Sequence, residues 1–384
     1  MKEDSLIFDN GFARLYQADA RRLPIKDESV DCVVTSPPYW GLRDYGLEEQ
    51  GIGLEPTPEA FCANMVEVFR EVWRVLKPTG TVWMNLGDSY SGGGGAHKPE
   101  HANPGLSKSA ERNGVPTSER VVMSGLKPKD LVGIPWRVAF ALQKDGWYLR
   151  SDIIWSKPNP MPESVTDRPT KSHEYVFLLT KNVRYYYDPD AIREPELNLG
   201  ASAKQIKYQQ KRRENEPELR HRKPGKVSDS IGTWSGEGLY SGGRNKRTVW
   251  EIATQPYPEA HFATFPEDLV EPCILAGSSE KGVCAQCGKP WERIVVASGG
   301  TIGKGWNDHT NDMVRGMRDE SHGKSTDGTY KRTYMGWEPT CTCNADVVPA
   351  TVLDPFAGSG TTLAVAQKFG RKSVGQTSAG NTLI

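Results

Sequence analysis

The stretch Thr351-Val352-Leu353-Asp354 runs straight into Pro355-Phe356-Ala357-Gly358-Ser359-Gly360-Thr361-Thr362 and then into Leu363-Ala364-Val365-Ala366. An apolar strand, a glycine turn and a helix in immediate succession leave the chain little choice of fold. The glycines allow a tight turn and bring bare backbone close to a ligand. The N-terminus of the following helix favours an anionic group. Asp354, Pro355, Phe356, Gly358, Ser359, Gly360, Thr361 and Thr362 are therefore candidate ligand-binding positions.

The rest of the chain supports a parallel sheet around that unit. Ala13 to Gln17, Val30 to Val34, Thr81 to Leu86, Trp147 to Trp155, Tyr175 to Thr180 and Lys372 to Gly375 read as strands. Thr57 to Leu76 has helical periodicity, with Phe61, Met65, Val68, Phe69, Val72 and Leu76 on one face. It stops at the breaker Lys77-Pro78-Thr79-Gly80. Leu131 to Lys144 reads as a second helix, closed by Gly146. Strands alternating with helices predict an α/β fold with a doubly wound, mostly parallel sheet.

A second motif, Asp31-Cys32-Val33-Val34-Thr35-Ser36-Pro37-Pro38-Tyr39-Trp40, is a strand leading into a rigid loop. Its prolines fix φ and remove two N–H donors. Loops at the carboxyl ends of parallel strands are where such folds place ligands. Ser36 Oγ and main-chain carbonyls there are fixed acceptors beside the Tyr39 ring. That arrangement suits an exocyclic base amine, whose lone pair is delocalised into its ring. Acceptors that hold the two hydrogens favour a more tetrahedral nitrogen, with the lone pair free to attack an electrophilic methyl.

Three stretches interrupt the pattern. Ser89 to Gly125 is rich in Gly, Ser, Pro and Lys and reads as a loop. Residues 194–248 are polar and locally basic. Between Lys204 and Arg247 lie twelve Lys or Arg against five Asp or Glu, with Tyr208, Trp234 and Tyr240 among them. Cations interleaved with aromatics suit a nucleic-acid surface, and Arg212, Arg213, Arg220 and Arg222 are candidate phosphate contacts. Overall formal net charge is zero, so charge points to partners only through such local clusters. Residues 282–346 carry Cys284-x2-Cys287-Gly288 and Cys341-x-Cys343. Four thiolates in two close pairs suit a tetrahedral Zn²⁺ that ties down an insert with little core of its own. His309 and His322, between the pairs, read as surface residues. Cys32, Cys62 and Cys273 stand singly in apolar contexts and are expected to be buried and inert. No apolar run approaches the roughly 20 residues that span a bilayer. The start, Met1 to Ser5, lacks a signal-peptide core. The protein is expected in the cytoplasm, as a monomer or dimer.

Ser36-Pro37-Pro38-Tyr39 followed much later by Phe356-Ala357-Gly358-Ser359-Gly360 resembles the DNA amino-methyltransferase family, in its permuted beta arrangement. Asp19, Val30-Asp31 and the segment Phe265 to Val270 also fit that family. The resemblance implies S-adenosylmethionine (AdoMet) as cofactor, double-stranded DNA as substrate, and a cognate restriction endonuclease as candidate partner. It makes 1–193 the catalytic half, 194–248 the target-recognition insert, 249–281 a return to the core, 282–346 a zinc ribbon and 347–384 the AdoMet segment. Members with Ser ahead of Pro-Pro-Tyr are usually cytosine-N4 enzymes, and those with Asp there adenine-N6 enzymes, so Ser36 points to N4-cytosine with N6-adenine as the alternative. The family usually has an acidic residue for the AdoMet ribose after the strand Lys372 to Gly375, where this chain has Gln376-Thr377-Ser378. A catalytically impaired DNA-binding homologue is the other alternative.

Overall fold

A computed structural model describes residues 5–41, 51–91, 125–194, 240–241, 244–255, 265–298 and 331–377. In chain order its elements are β1 (Ser5–Asp9), β2 (Ala13–Gln17), β3 (Val30–Thr35), α1 (Pro58–Val75), β4 (Leu76–Leu86), α2 (Ile134–Lys144), β5 (Tyr148–Ser156), β6 (His173–Thr180), β7 (Tyr240–Ser241) and β8 (Val249–Glu251). They continue with α3 (Glu267–Gly277), β9 (Val283–Cys284), β10 (Trp291–Ser298), β11 (Lys331–Pro339), β12 (Val347–Val348), β13 (Thr351–Asp354), α4 (Thr361–Lys368) and β14 (Lys372–Thr377). Two compact units result: Met1–Ile192 with Arg247–Glu292 and Pro339–Ile384, and Arg193–Lys246 with Arg293–Glu338.

The first unit holds a nine-stranded sheet in the order β1-β2-β14-β13-β3-β4-β6-β5-β8. The run from β2 to β4 is parallel throughout, as expected. β3 is buried at every residue, as befits a central strand covered on both faces. One covering layer is α1 and α2, which bury Phe61, Met65, Phe69 and Leu142 against Val33 and Val82. The other is α3 and α4, which bury Leu269, Ile274 and Val365 against Cys32 and Val352.

Local sequence explains the boundaries. Thr57 caps α1 by accepting from Ala60 N at 3.1 Å, and Pro58 occupies the first turn. Leu76 is already extended, so helix passes directly into β4. Lys77 to Gly80 does end the helix, but it lies within β4 rather than before it. Its extra residues are taken up as an irregularity, with Val30 opposite Leu76 and Cys32 opposite Thr81. α2 starts at Ile134, later than Leu131, because Asp88 sets its beginning. The Asp88 carboxylate accepts from Gly133 N at 2.9 Å and Ile134 N at 3.0 Å. β1 and β8 add strands that periodicity did not reveal. Cys32 and Cys273 are buried, but Cys62 is only half-buried, because it lies at the edge of the α1 apolar face. Burial pushes the Cys32 thiol up to about 12 and that of Cys62 to about 11, which keeps both protonated. Among the described residues, no helix is long and apolar enough to cross a membrane.

The second unit contains a three-stranded sheet in the order β10-β11-β7. Lys331 pairs with Ser241 and Arg332 with Tyr240, antiparallel. Glu194 and Arg244 join by mutual backbone bonds and an ion pair of 3.0 Å. The Arg293 guanidinium lies 4.4 Å from the centre of the Trp337 ring. Parts of the segments 194–248 and 282–346 share this unit, while both cysteine pairs stay with the large sheet. The reason is the pairing of β9 with β12, just ahead of β13.

Candidate active site

β3 and β13 lie side by side, yet their crossovers leave in opposite directions, β3 through α1 to β4 and β13 through α4 to β14. Their carboxyl ends thus flank a topological switch point, where open α/β sheets leave a crevice for ligands. Both sequence motifs end there. Asp354 joins them: its carboxylate accepts from Thr35 Oγ1 at 2.7 Å, Phe356 N at 3.0 Å and Thr362 Oγ1 at 2.8 Å. Burial pushes the Asp354 carboxyl up to about 6, against these three donors, which favour the charged form. Asp354, Pro355 and Thr362 are buried, whereas Phe356, Ser359 and Thr361 are half-open and Gly358 is exposed. Gly358 and Gly360 have φ of 51° and 82°, and α4 begins with no side-chain cap on its first amides. A small cleft among β3, β4, β6 and α3 is lined by Thr35, Asn85, Phe265 and Val270. Gln376, at the end of β14, is buried, and its Oε1 has no hydrogen-bond partner among the described residues.

Ser36 is half-buried just past β3. Its hydroxyl donates to Asn85 Oδ1 at 3.2 Å. The Asn85 amide is held in that sense because its Nδ2 donates to Glu174 Oε2 at 3.2 Å and to the Tyr175 carbonyl at 3.1 Å. The Tyr39 hydroxyl faces two acceptors, Glu174 Oε2 at 2.6 Å and Asn85 Oδ1 at 2.9 Å. Glu174 Oε1 is paired with Lys157, whose ammonium also lies 4.1 Å from the centre of the Trp155 ring. The structure thus brings Ser36 and Tyr39 into one network with Asn85, Glu174 and Lys157. Sequence reasoning missed the last three. Asn85 is a polar residue inside an otherwise apolar strand, which was the one signal available; Glu174 and Lys157 had none.

The four cysteines Cys284, Cys287, Cys341 and Cys343 come together, with their sulfurs all within 4.8 Å of one another. Sulfurs at ~2.3 Å around a tetrahedral Zn²⁺ lie roughly 3.8 Å apart, so the donor set fits that ion. Backbone amides of Cys287 and Gln286 hold the Cys284 thiol down at about 7. Its crowding neighbours, Cys287 first, push Cys343 up to about 12. The knuckle is tied to the sheet. Cys284 pairs with Val347, and Ala285 N donates to the Asp346 carbonyl at 2.8 Å. Lys77 Nζ donates to the Gly288 carbonyl at 3.3 Å and to Asp31 Oδ1 at 2.7 Å, and Asp31 Oδ2 accepts from Thr351 N at 2.8 Å. Arg212, Arg213, Arg220, Arg222, His309 and His322 lie outside the described residues, as does most of the expected loop at 89–125.

A DNA methylase family model, N6/N4 methyltransferase, matches residues 30–285 and 348–380, which include both loops of the switch point. The chain belongs to the N6/N4 DNA methylase family. It is similar to the type II methyltransferase M.Cfr9I of Citrobacter freundii, with 48% identity over 69% of this chain and 73% of that one. M.SmaI of Serratia marcescens is 46% identical over 67% of this chain and 72% of its own. Among solved structures, PvuII DNA methyltransferase (cytosine-N4-specific) overlays with a TM-score of 0.48 and 15% identity, covering 98% of this chain and 86% of that one. As a member of the methylase family, the protein is a DNA methyltransferase, and the matched residues take in the crevice between β3 and β13.

Proposed function

We propose that this methylase transfers the methyl group of AdoMet to the exocyclic N4 amine of cytosine in double-stranded DNA. The observation that carries the reading is the direction of the Ser36 hydrogen bond. A serine hydroxyl has one hydrogen and two lone pairs. With the hydrogen directed at Asn85 Oδ1, Ser36 is left to accept. Ser36 Oγ and the Pro37 carbonyl then hold the amine hydrogens, and Pro38 keeps the loop rigid. Serine rather than aspartate at this place favours cytosine. The base has to leave the helix to reach the loop, and the Tyr39 ring gives it a face to stack on. No thiol stands at position 36, and the amine itself is the nucleophile.

AdoMet fits the residues present beside this loop. Gln376 Oε1 is a buried acceptor in want of a donor, suited to a ribose hydroxyl where the family usually has an acid. The uncapped first amides of α4 suit a carboxylate. When bound, the cofactor supplies the electrophilic methyl. Phe356, Gly358, Ser359, Gly360 and Thr361 are the residues that would hold it, whereas Asp354, Pro355 and Thr362 give the loop its shape from within. Cys284, Cys287, Cys341 and Cys343 would hold a structural Zn²⁺. Arg212, Arg213, Arg220 and Arg222 supply phosphate contacts, and the type II relatives favour a partner endonuclease acting at the same DNA site.

Nucleoside analysis of unmodified DNA treated with the protein and labelled AdoMet tests the base. N4-methylcytosine is expected. N6-methyladenine would transfer the same geometry to the alternative base, and no methylated nucleoside would favour the impaired homologue. Ser36→Ala should slow single-turnover transfer by on the order of 10²–10³ with AdoMet and DNA affinity little changed, as for loss of one preorganised polar group. A wild-type rate in that variant would remove the loop from the chemistry.

A further inference from the structure

A stacking face is useful only if the ring is held still, and among the described residues both the axis and the plane of the Tyr39 ring are held. The hydroxyl lies on the long axis of the ring. Its bond to Glu174 Oε2, at 2.6 Å, fixes where that axis points but leaves the ring free to rotate about it. Gly87 governs that rotation. A Cβ built on Gly87 would lie 2.5 Å from Tyr39 Cε2 and 3.0 Å from Cδ2, so the ring rests directly on bare backbone. Both constraints come from the same stretch of sheet. Gly87 follows the end of β4, and β4 pairs with β6 so that Leu86 faces Tyr175, the residue after Glu174.

The carboxylate is an expensive way to hold a phenol unless its charge matters. The Glu174 side chain is 14% exposed and that of Lys157 17%. Burying such a pair is costly, and apolar residues of like volume often serve stability as well. What the charge adds is a shorter and roughly twofold stronger hydrogen bond to the hydroxyl. Lys157 balances the charge on the other oxygen, and Asn85 Nδ2 takes up part of Oε2, so Glu174 does not move freely.

We propose that Glu174 and Gly87 are positioning residues that lock the Tyr39 ring as the platform for the extruded base, Glu174 by fixing the ring axis and Gly87 by fixing its plane. The proposal rests on the reading of Tyr39 as the stacking face. Single-turnover methyl transfer is measured on DNA carrying the site, with AdoMet affinity and thermal stability followed in parallel. Tyr39→Phe keeps the ring and drops the hydroxyl; Glu174→Gln keeps an acceptor and drops the charge. Each should slow transfer roughly tenfold while leaving AdoMet affinity unchanged. The double variant should be no slower than the slower single, because Glu174 acts on the ring only through the hydroxyl that Tyr39→Phe removes. Gly87→Ala should slow transfer at least as much, since its Cβ displaces the ring. If Tyr39→Ala methylates at the wild-type rate, the stacking reading itself is wrong. If Tyr39→Ala is slow but Tyr39→Phe or Glu174→Gln is not, or their effects multiply, the lock is overturned and Glu174 serves only the fold.

Discussion

The two ends of β13 are held by different physics. At the carboxyl end, Asp354 is buried among neutral donors: two threonine hydroxyls and one amide. At the amino end, Thr351 N donates to Asp31, a buried carboxylate that is answered by a full positive charge on Lys77. The same lysine reaches the Gly288 carbonyl of the cysteine knuckle, which is attached through two-residue strands and four sulfurs. One strand therefore joins an end shaped by apolar packing and short hydrogen bonds to an end fastened by charge and by thiols. At the switch-point end, the buried acid meets only neutral donors among the described residues. At the anchoring end, it meets a fixed counter-charge.

Metal removal should separate the two ends most sharply. Purified protein should carry about one Zn per chain, and apparent binding energies in zinc-finger peptides reach roughly 10–16 kcal/mol. Chelation, or Cys284→Ser, should therefore speed amide exchange in β9 and β12 and at Thr351, while α4 and the Asp354 loop stay protected. A metal-free protein with unchanged exchange at β9 would show that the knuckle holds without an ion. Next in size is Lys77→Met. It leaves Asp31 buried and unpaired, for which the usual cost is about 3–5 kcal/mol. Denaturant unfolding should show that loss, and Asp31→Asn in the same chain should recover most of it. Equal stability of Lys77→Met and wild type would mean that Asp31 is kept protonated by burial, which already pushes its carboxyl upward.

How much of this was legible in the sequence follows the same division. The strand-to-loop motif at Ser36, the glycine turn at Gly358, the apolar face of α1 and the cysteine pairs are local, so spacing alone revealed them. The residues that complete the site are not local. Asn85, Glu174 and Lys157 meet only because β4, β6 and β5 pair antiparallel, which sets Trp155 opposite Glu174 and Leu86 opposite Tyr175. Asp88 caps a helix that starts at Ile134, a partner no helix-start signal next to α2 could reveal. Lys77 read as a breaker because its role depends on Asp31 and Gly288, far away along the chain. The second unit escaped notice because its strand β7 has two residues and finds its partner in β11.

The smallest expected effect tests Asp354, the neutral counterpart of the Asp31 pair. Its folded pKa is raised to about 6, from an ordinary 3.8. The sign of the linkage follows from proton binding. Below about pH 4 the carboxyl is protonated in both folded and unfolded chains and contributes no difference. Between about pH 4 and 6 the unfolded chain releases its proton while the folded chain keeps it, so stability falls as pH rises through that window and levels off above it. Asp354→Asn keeps an acceptor and has no proton to lose. The stability of wild type relative to Asp354→Asn should therefore fall by on the order of 2–3 kcal/mol from pH 4 to 6.5 and then stay flat. Urea unfolding of both proteins across that range reads it directly. The opposite slope, with wild type losing ground as pH drops, would mean that Thr35, Thr362 and the Phe356 amide stabilise the carboxylate more than burial penalises it. Asp354 would then stay ionised into the acid range on neutral donors alone among the described residues, where Asp31 has Lys77.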